Sequence, residues 1–233
     1  ISSAASDVYK RQEQNYACFQ KVASEFDVQI DFKSDASIIA LQGPNSMKNL
    51  SSLYDIKLEK FHLYQDEEVM IARTGYTGEL GVEIISDPNK GLEIWNYFIS
   101  KGIQPIGLAA RDTLRLEAGF NLYGSDMTVE NNPYDSNLEW TVDQSEQDRD
   151  YIGKKALKHL QDTKNRLVGF YTDARGVLRS GTKVSFEGGE GVITSGTWSP
   201  TFKKNIGFCR VTKNFPKIGK SILRDKELSL IHI

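Results

Sequence analysis

The chain has 233 residues, with 29 Lys and Arg against 31 Asp and Glu and a formal net charge of -2. That balance excludes a protein that works mainly by neutralising phosphates, because such binders carry a basic excess. With 39% apolar residues the composition is globular rather than disordered, and no run approaches the roughly 18 apolar residues that a membrane span needs.

At this length a folded chain buries roughly 70% of its extended surface, enough for one large domain or two smaller ones. Cys18 and Cys209 are too few and too far apart for a disulfide framework, so a reducing compartment is expected. The N-terminal stretch has no basic region followed by an apolar core, so it is not read as a secretory signal. The last six residues, Leu228 to Ile233, alternate with no polar tail behind them. We set aside the first twelve and last six residues and expect a chain truncated at both ends.

Phe19, Val22, Ala23 and Phe26 recur at helical spacing and predict a helix over about 13–26. Val28, Ile30 and Phe32 alternate and predict a strand. Residues 37–42 predict a more buried one. Gly43-Pro44-Asn45 is a turn, with Asn45 placed to cap a short helix bearing Met47 and Leu50. A strand over 68–74, a glycine-rich loop and a strand over 82–85 follow. Asp87-Pro88 supplies an N-cap and a proline at the first helical position. The helix it starts carries Leu92, Trp95, Phe98 and Ile99 on its predicted apolar side, and Gly102 stops it. Residues 107–117 predict another helix, stopped by Gly119.

The texture changes after about 143. Residues 143–150 read as a solvated acidic loop and 154–160 as a short helix. From 166 onward short alternating segments are separated by Gly and Pro, the pattern of a small antiparallel barrel or sandwich. The reading is an α+β part up to about 160 and a smaller β domain from about 165 to 228.

Three histidines, His62, His159 and His232, are scattered without metal spacing, so no zinc site is expected. The loop Thr74 to Gly81 places glycines at 75, 78 and 81, which is not a dinucleotide-binding spacing, and it joins strand to strand. It is either a hairpin loop that needs glycine or a loop that lets backbone approach a ligand, with Tyr76 as a flat wall. Glu83 either faces solvent or accepts paired N–H donors from a heterocycle. In 107–119, Arg111 and Arg115 lie four apart, and Asp112 can pair with Arg115. That face is either solvated charge or holds a ligand oxygen through arginine.

Six blocks together resemble a known family: IIALQGP (38–44), RTGYTGELGVEI (73–84), PIGLAARDTLRLEAGFNLYGSDM (105–127), NPYDSNLEW (132–140), YIGKKAL (151–157) and GVITSGTWSPTFKKNIGF (191–208). The family is the aminomethyltransferase, or T-protein, of the glycine cleavage system. The resemblance implies an α+β folate-binding domain over 13–160, with mixed or antiparallel sheets and helices, and a C-terminal antiparallel β-barrel over 165–228. It implies a tetrahydrofolate-dependent enzyme that takes an aminomethyl group from the lipoyl arm of H-protein. Ammonia is released, leaving 5,10-methylenetetrahydrofolate and dihydrolipoyl H-protein. It places the pterin-gripping glutamate at Glu83, a second ligand-binding position at Arg111 and a folate-pocket tyrosine at Tyr76. A monomer is expected, with no nucleic-acid or membrane partner, in a bacterial cytoplasm or, for a eukaryotic source, a mitochondrial matrix.

Two departures stand out. The family's catalytic aspartate lies upstream of the matched blocks, and its aromatic-rich closing segment lies beyond them, so this chain is expected to be catalytically incomplete. Two relatives of the superfamily are alternatives. One is a folate-binding protein of iron–sulfur cluster maintenance, whose KGCYxGQE-like signature contrasts with the cysteine-free TGYTGELG here. The other is the folate domain of sarcosine or dimethylglycine dehydrogenases, which sits behind a flavin domain.

Overall fold

The computed structural model describes residues 3–145, 148–160, 165–173, 176, 178–186, 189–212, 218–223 and 226–231. The chain divides into two compact units, Ile1–Leu114 and Arg115–Ile233.

The first unit opens with α1 (Ser3–Ala23) and is built on β1 (Ser37–Gln42), β2 (Leu63–Gln65), β3 (Val69–Ala72) and β4 (Gly81–Ser86). These form one antiparallel sheet in the order β1-β4-β3-β2. Strand alternation divides its faces. Leu41, Val69, Ile71, Val82 and Ile84 point into a core completed by Leu50 of α2 (Ser46–Leu50) and by Ile94 and Phe98 of α3 (Pro88–Ser100). Burying each such side chain contributes about 1.5–3 kcal/mol. On the opposite face Ala40 and Ala72 flank Glu83 across the ladder. Two small neighbours leave open space around that carboxylate.

Both predicted signals of α3 are present. Asp87 accepts from the backbone N–H groups of Asn89 at 2.8 Å and Lys90 at 3.1 Å. At the other end Gly102 has φ 79, its N–H donates to Ile99, and the N–H of Ile103 donates to Phe98. That is a Schellman stop, for which the left-handed glycine is required.

Several expectations are corrected. Residues 28–32 form no strand, and Val28 and Phe32 are exposed. Alternation supplies an apolar face, but a strand also needs a neighbour for its N–H and C=O groups, and no ladder reaches this segment. Its anchor is instead the Phe32 ring, 4.9 Å from that of Tyr16 on α1. The buried stripe of α3 is Gly91, Ile94 and Phe98, while Leu92, Trp95 and Ile99 are exposed. Asn45 stands at the N-cap of α2, but its side chain makes no capping bond. Residues 3–12 belong to α1, and 228–231 belong to the last strand of the second unit, so both set-aside segments contribute elements. His232, Glu146 and Gln147 lie outside the described residues.

α4 (Leu108–Glu117) runs from the first unit into the second. After it the second unit carries a short 3-10 turn (Glu139–Thr141), α5 (Lys154–Leu160) and six strands: β5 (Asn165–Thr172), β6 (Lys183–Phe186), β7 (Gly189–Ser199), β8 (Lys204–Thr212), β9 (Ile218–Leu223) and β10 (Lys226–Ile231). They close into an antiparallel barrel in the order β10-β5-β8-β7-β6-β9. The strand pattern alone left barrel and sandwich open, the family resemblance implied a barrel, and the structure is a barrel. Val168, Phe170, Leu178, Val184, Ile193, Cys209 and Val211 form one cluster, and Leu116, Leu167, Ile206 and Phe208 form another. Residues of β5 and β8 enter both clusters, so these central strands read as continuous apolar runs rather than strict alternation. Among the described residues no helix is long and apolar enough to cross a membrane.

Candidate functional site

The loop between β3 and β4 is the hairpin connection that its position suggested, but glycine is needed there for a reason the sequence did not show. The Gln42 side chain lies beneath it. Its Nε2 donates to the carbonyls of Thr74 at 3.2 Å and Val82 at 3.1 Å, and its Oε1 accepts from Thr77 Oγ1 at 2.9 Å. A Cβ at Gly75 would stand 2.1 Å from Gln42 Oε1, and one at Gly81 would stand 2.5 Å from Gln42 Nε2. At Gly75 a side chain would displace the Gln42 amide, and at Gly81 it would also meet the Leu41 carbonyl at 2.5 Å. The clasp is reinforced at the loop's far end, where Gly43 N–H and Ser46 Oγ both donate to the Leu80 carbonyl at 2.7 and 2.9 Å.

This arrangement brings the three sequence-predicted residues to one cavity of ≈ 370 Å³ within the first unit. Glu83 enters from β4, Tyr76 from the loop and Arg111 from α4. β1 supplies one wall through Ile39 to Gln42, and α3 supplies Trp95, Phe98 and Ile99. Trp95 and Ile99, exposed when judged as core, therefore serve as cavity wall. The volume falls within the range of small-molecule sites, and the mixture of apolar walls with a few convergent polar groups is typical of them.

The charged groups are oriented by neighbours. Thr74 Oγ1 donates to Glu83 Oε2 at 2.6 Å, which fixes one carboxylate oxygen from across the hairpin. The Arg111 guanidinium lies 4.6 Å from the centroid of the Tyr76 ring. The cavity thus presents a half-buried carboxylate, an exposed cation stacked on an aromatic plate, and apolar surface. Such a set suits a flat heterocycle with adjacent N–H donors and an electron-rich or anionic edge. Among the described residues no group of three or more His, Cys, Asp or Glu is placed to hold a metal ion.

Arg115 belongs elsewhere. It is 2% exposed and donates to Asp126 Oδ2 at 2.7 Å, to Ser195 Oγ at 2.9 Å and to the Phe120 carbonyl at 3.0 Å. The expectation of one shared arginine face is therefore corrected: Arg111 is exposed at the cavity and Arg115 is a buried structural cation of the second unit. Ala109 and Ala110, on the same helix, are exposed. Sequence reasoning passed over Gln42 and Thr74. The only available signal was the spacing of glycines 75 and 81, which implied close backbone approach without naming the side chain beneath.

The family described as "GCVT N-terminal domain" matches residues 6–146, and "Glycine cleavage T-protein C-terminal barrel domain" matches 165–225. The chain belongs to the glycine cleavage T-protein family. The barrel match begins where β5 begins, at Asn165. Relatives named aminomethyltransferase include one from Xylella fastidiosa, 38% identical over 93% of this chain and 62% of its own length. Another, from Xanthomonas oryzae pv. oryzae, is 43% identical over 81% of this chain and 55% of its own. The crystal structure of glycine cleavage system aminomethyltransferase T from Bartonella henselae superposes with a TM-score of 0.84 at 30% identity, covering 95% of this chain and 64% of that one. The chain thus spans about three fifths of the length of the curated T-protein relatives it matches. The α+β unit followed by a closed barrel is the architecture expected from the family resemblance.

Proposed function

We propose that this chain is the folate-binding and barrel portion of an aminomethyltransferase of the glycine cleavage system, and that the cavity at Glu83 takes the pterin of tetrahydrofolate. The observation that carries this reading is the convergence of Glu83, Tyr76 and Arg111 on one ≈ 370 Å³ cavity in a chain of the T-protein family. Glu83 accepts the two-donor edge of the pterin, its ring N–H and exocyclic amine, in a charge-assisted bidentate pair. Tyr76 lies against the ring and Arg111 holds an oxygen of the ligand.

In the complete reaction the carbon–sulfur bond of the aminomethyl-lipoyl arm of H-protein breaks and ammonia leaves. The methylene carbon becomes bonded to both folate amine nitrogens, and their two N–H protons leave on the departing ammonia and on the sulfur, which returns as a thiol. None of the six matched blocks carries the carboxylate that steers the folate amines in this family, so these blocks account for folate binding rather than for the transfer step. The chain's partner is the lipoyl-carrying H-protein, and the chain acts as a monomer, with domains over 13–160 and 165–228.

Calorimetric titration of tetrahydrofolate into the chain and into Glu83→Gln tests the reading. Losing a hydrogen-bonded charge of this kind costs about 1.5–3 kcal/mol, a weakening of roughly 10- to 150-fold. Equal affinity of the two proteins removes Glu83 from the site.

A further inference from the structure

Gln42 makes contacts that explain the shape of the cavity rather than its chemistry. Both of its amide hydrogens are committed to the protein, to Thr74 and Val82, and its oxygen accepts from Thr77. A primary amide has two donors, so none is left for a ligand. The two carbonyls it grips lie at opposite ends of the loop. Thr74 is the residue whose hydroxyl holds Glu83, and Val82 immediately precedes Glu83. Thr77, the third partner, is buried and adjacent to Tyr76.

We infer that Gln42 is the positioning residue of this site, clasping the 74–82 hairpin from β1 so that Tyr76 and Glu83 face one cavity. The inference rests on the folate reading only for the identity of the ligand. Methionine at 42 keeps the volume and loses all three bonds. Valine at 77 loses one of the three together with the acceptor of the Glu79 N–H at 3.3 Å, and serine at 77 keeps both.

The test combines a ligand-free readout with a binding one. Hydrogen exchange is followed in the 74–81 amides and in α3 as an internal control, and tetrahydrofolate affinity is measured by calorimetry. In Gln42→Met and Thr77→Val the loop amides are expected to exchange about tenfold faster with α3 unchanged, and affinity to fall about tenfold. Thr77→Ser is expected to behave as the parent. In a Glu83→Gln background Gln42→Met is expected to cost less than about threefold, because the clasp acts through Glu83 and the two losses are not additive. A purely structural role would lower stability without that coupling.

Unchanged loop exchange in Gln42→Met overturns the inference, as does a fully multiplicative affinity loss in the double variant. Thr77→Val carries the same test if Gln42→Met does not fold. If the loop responds as expected while the parent binds no tetrahydrofolate, the folate reading falls and the clasp stands. If Glu83→Gln loses affinity while loop exchange is unmoved, the clasp falls and the folate reading stands.

Discussion

The Arg111 guanidinium carbon lies 4.6 Å from the centroid of the Tyr76 ring, joining α4 to the β3–β4 loop across the mouth of the cavity. Arg111 is exposed, so the stack contributes only about 0.5–1 kcal/mol. Its effect is to hold the ring and the guanidinium against one another. Tyr76→Phe keeps the ring and is expected to bind tetrahydrofolate within about twofold of the parent, whereas Tyr76→Ala loses plate and stack together. Arg111→Lys is expected to weaken binding severalfold, because an ammonium cannot reproduce a flat guanidinium. Titrations of the three variants check the order.

Thr74→Val removes the hydroxyl that donates to Glu83 at 2.6 Å while keeping the branched shape. A hydrogen bond to a charged group is worth about 1.5–3 kcal/mol, and part of it is recovered when the freed carboxylate turns to water. An affinity loss of about three- to tenfold is expected, and Thr74→Ser is expected to restore it. Calorimetry on the pair separates the hydroxyl from the methyl.

Much of this fold could be read from local signals. Asp87-Pro88 and Gly102 marked both ends of α3 because a capping carboxylate, a fixed proline φ and a left-handed stop act over a few residues. The alternation in 82–85 put Glu83 on the face opposite Val82 and Ile84, and the ladder keeps it there. What escaped was set by distant partners. Gln42 meets Thr74 and Val82 across 32 and 40 residues. Arg115 looked like the companion of Arg111 until its pairing with Asp126 and Ser195 placed it in a buried network. Residues 28–32 had the alternation of a strand but no neighbour to pair with.

That network predicts a large asymmetry between single and double substitutions. Asp126 is saturated: Oδ2 accepts from Arg115 at 2.7 Å and from the Leu122 N–H at 2.8 Å, and Oδ1 accepts from Thr194 Oγ1 at 2.5 Å and Ser195 Oγ at 2.6 Å. The Arg115 and Asp126 side chains are 2% and 0% exposed. Asp126→Ala removes the carboxylate paired with a buried guanidinium and is expected to cost about 3–5 kcal/mol. Pairing Asp126→Leu with Arg115→Met removes both charges and is expected to cost well under the sum of the singles. Urea denaturation of the three variants gives the comparison.

Cys209 and Cys18 are both free thiols, but only Cys18 is exposed. Cys209 sits in the barrel core, and burial pushes its thiol from an ordinary 9.0 up to about 12. A desolvated thiolate is disfavoured, so the folded barrel holds this proton where the unfolded chain has released it. Between about pH 9 and about pH 12 the unfolded state therefore binds fewer protons, and stability falls as pH rises through that window. Below 9 the contribution is fully present. Cys209→Ala is expected to lose less stability than the parent between those two pH values, after both are compared by denaturation at matched pH. Reactivity follows the same physics, because the thiolate is the nucleophile. Iodoacetamide at pH 8 is expected to add one label in the native chain, at Cys18, and a second only in denaturant. Intact-mass measurement of the labelled protein reads the count, and rapid native labelling of Cys209 would mean that the barrel opens far more readily than its packing implies.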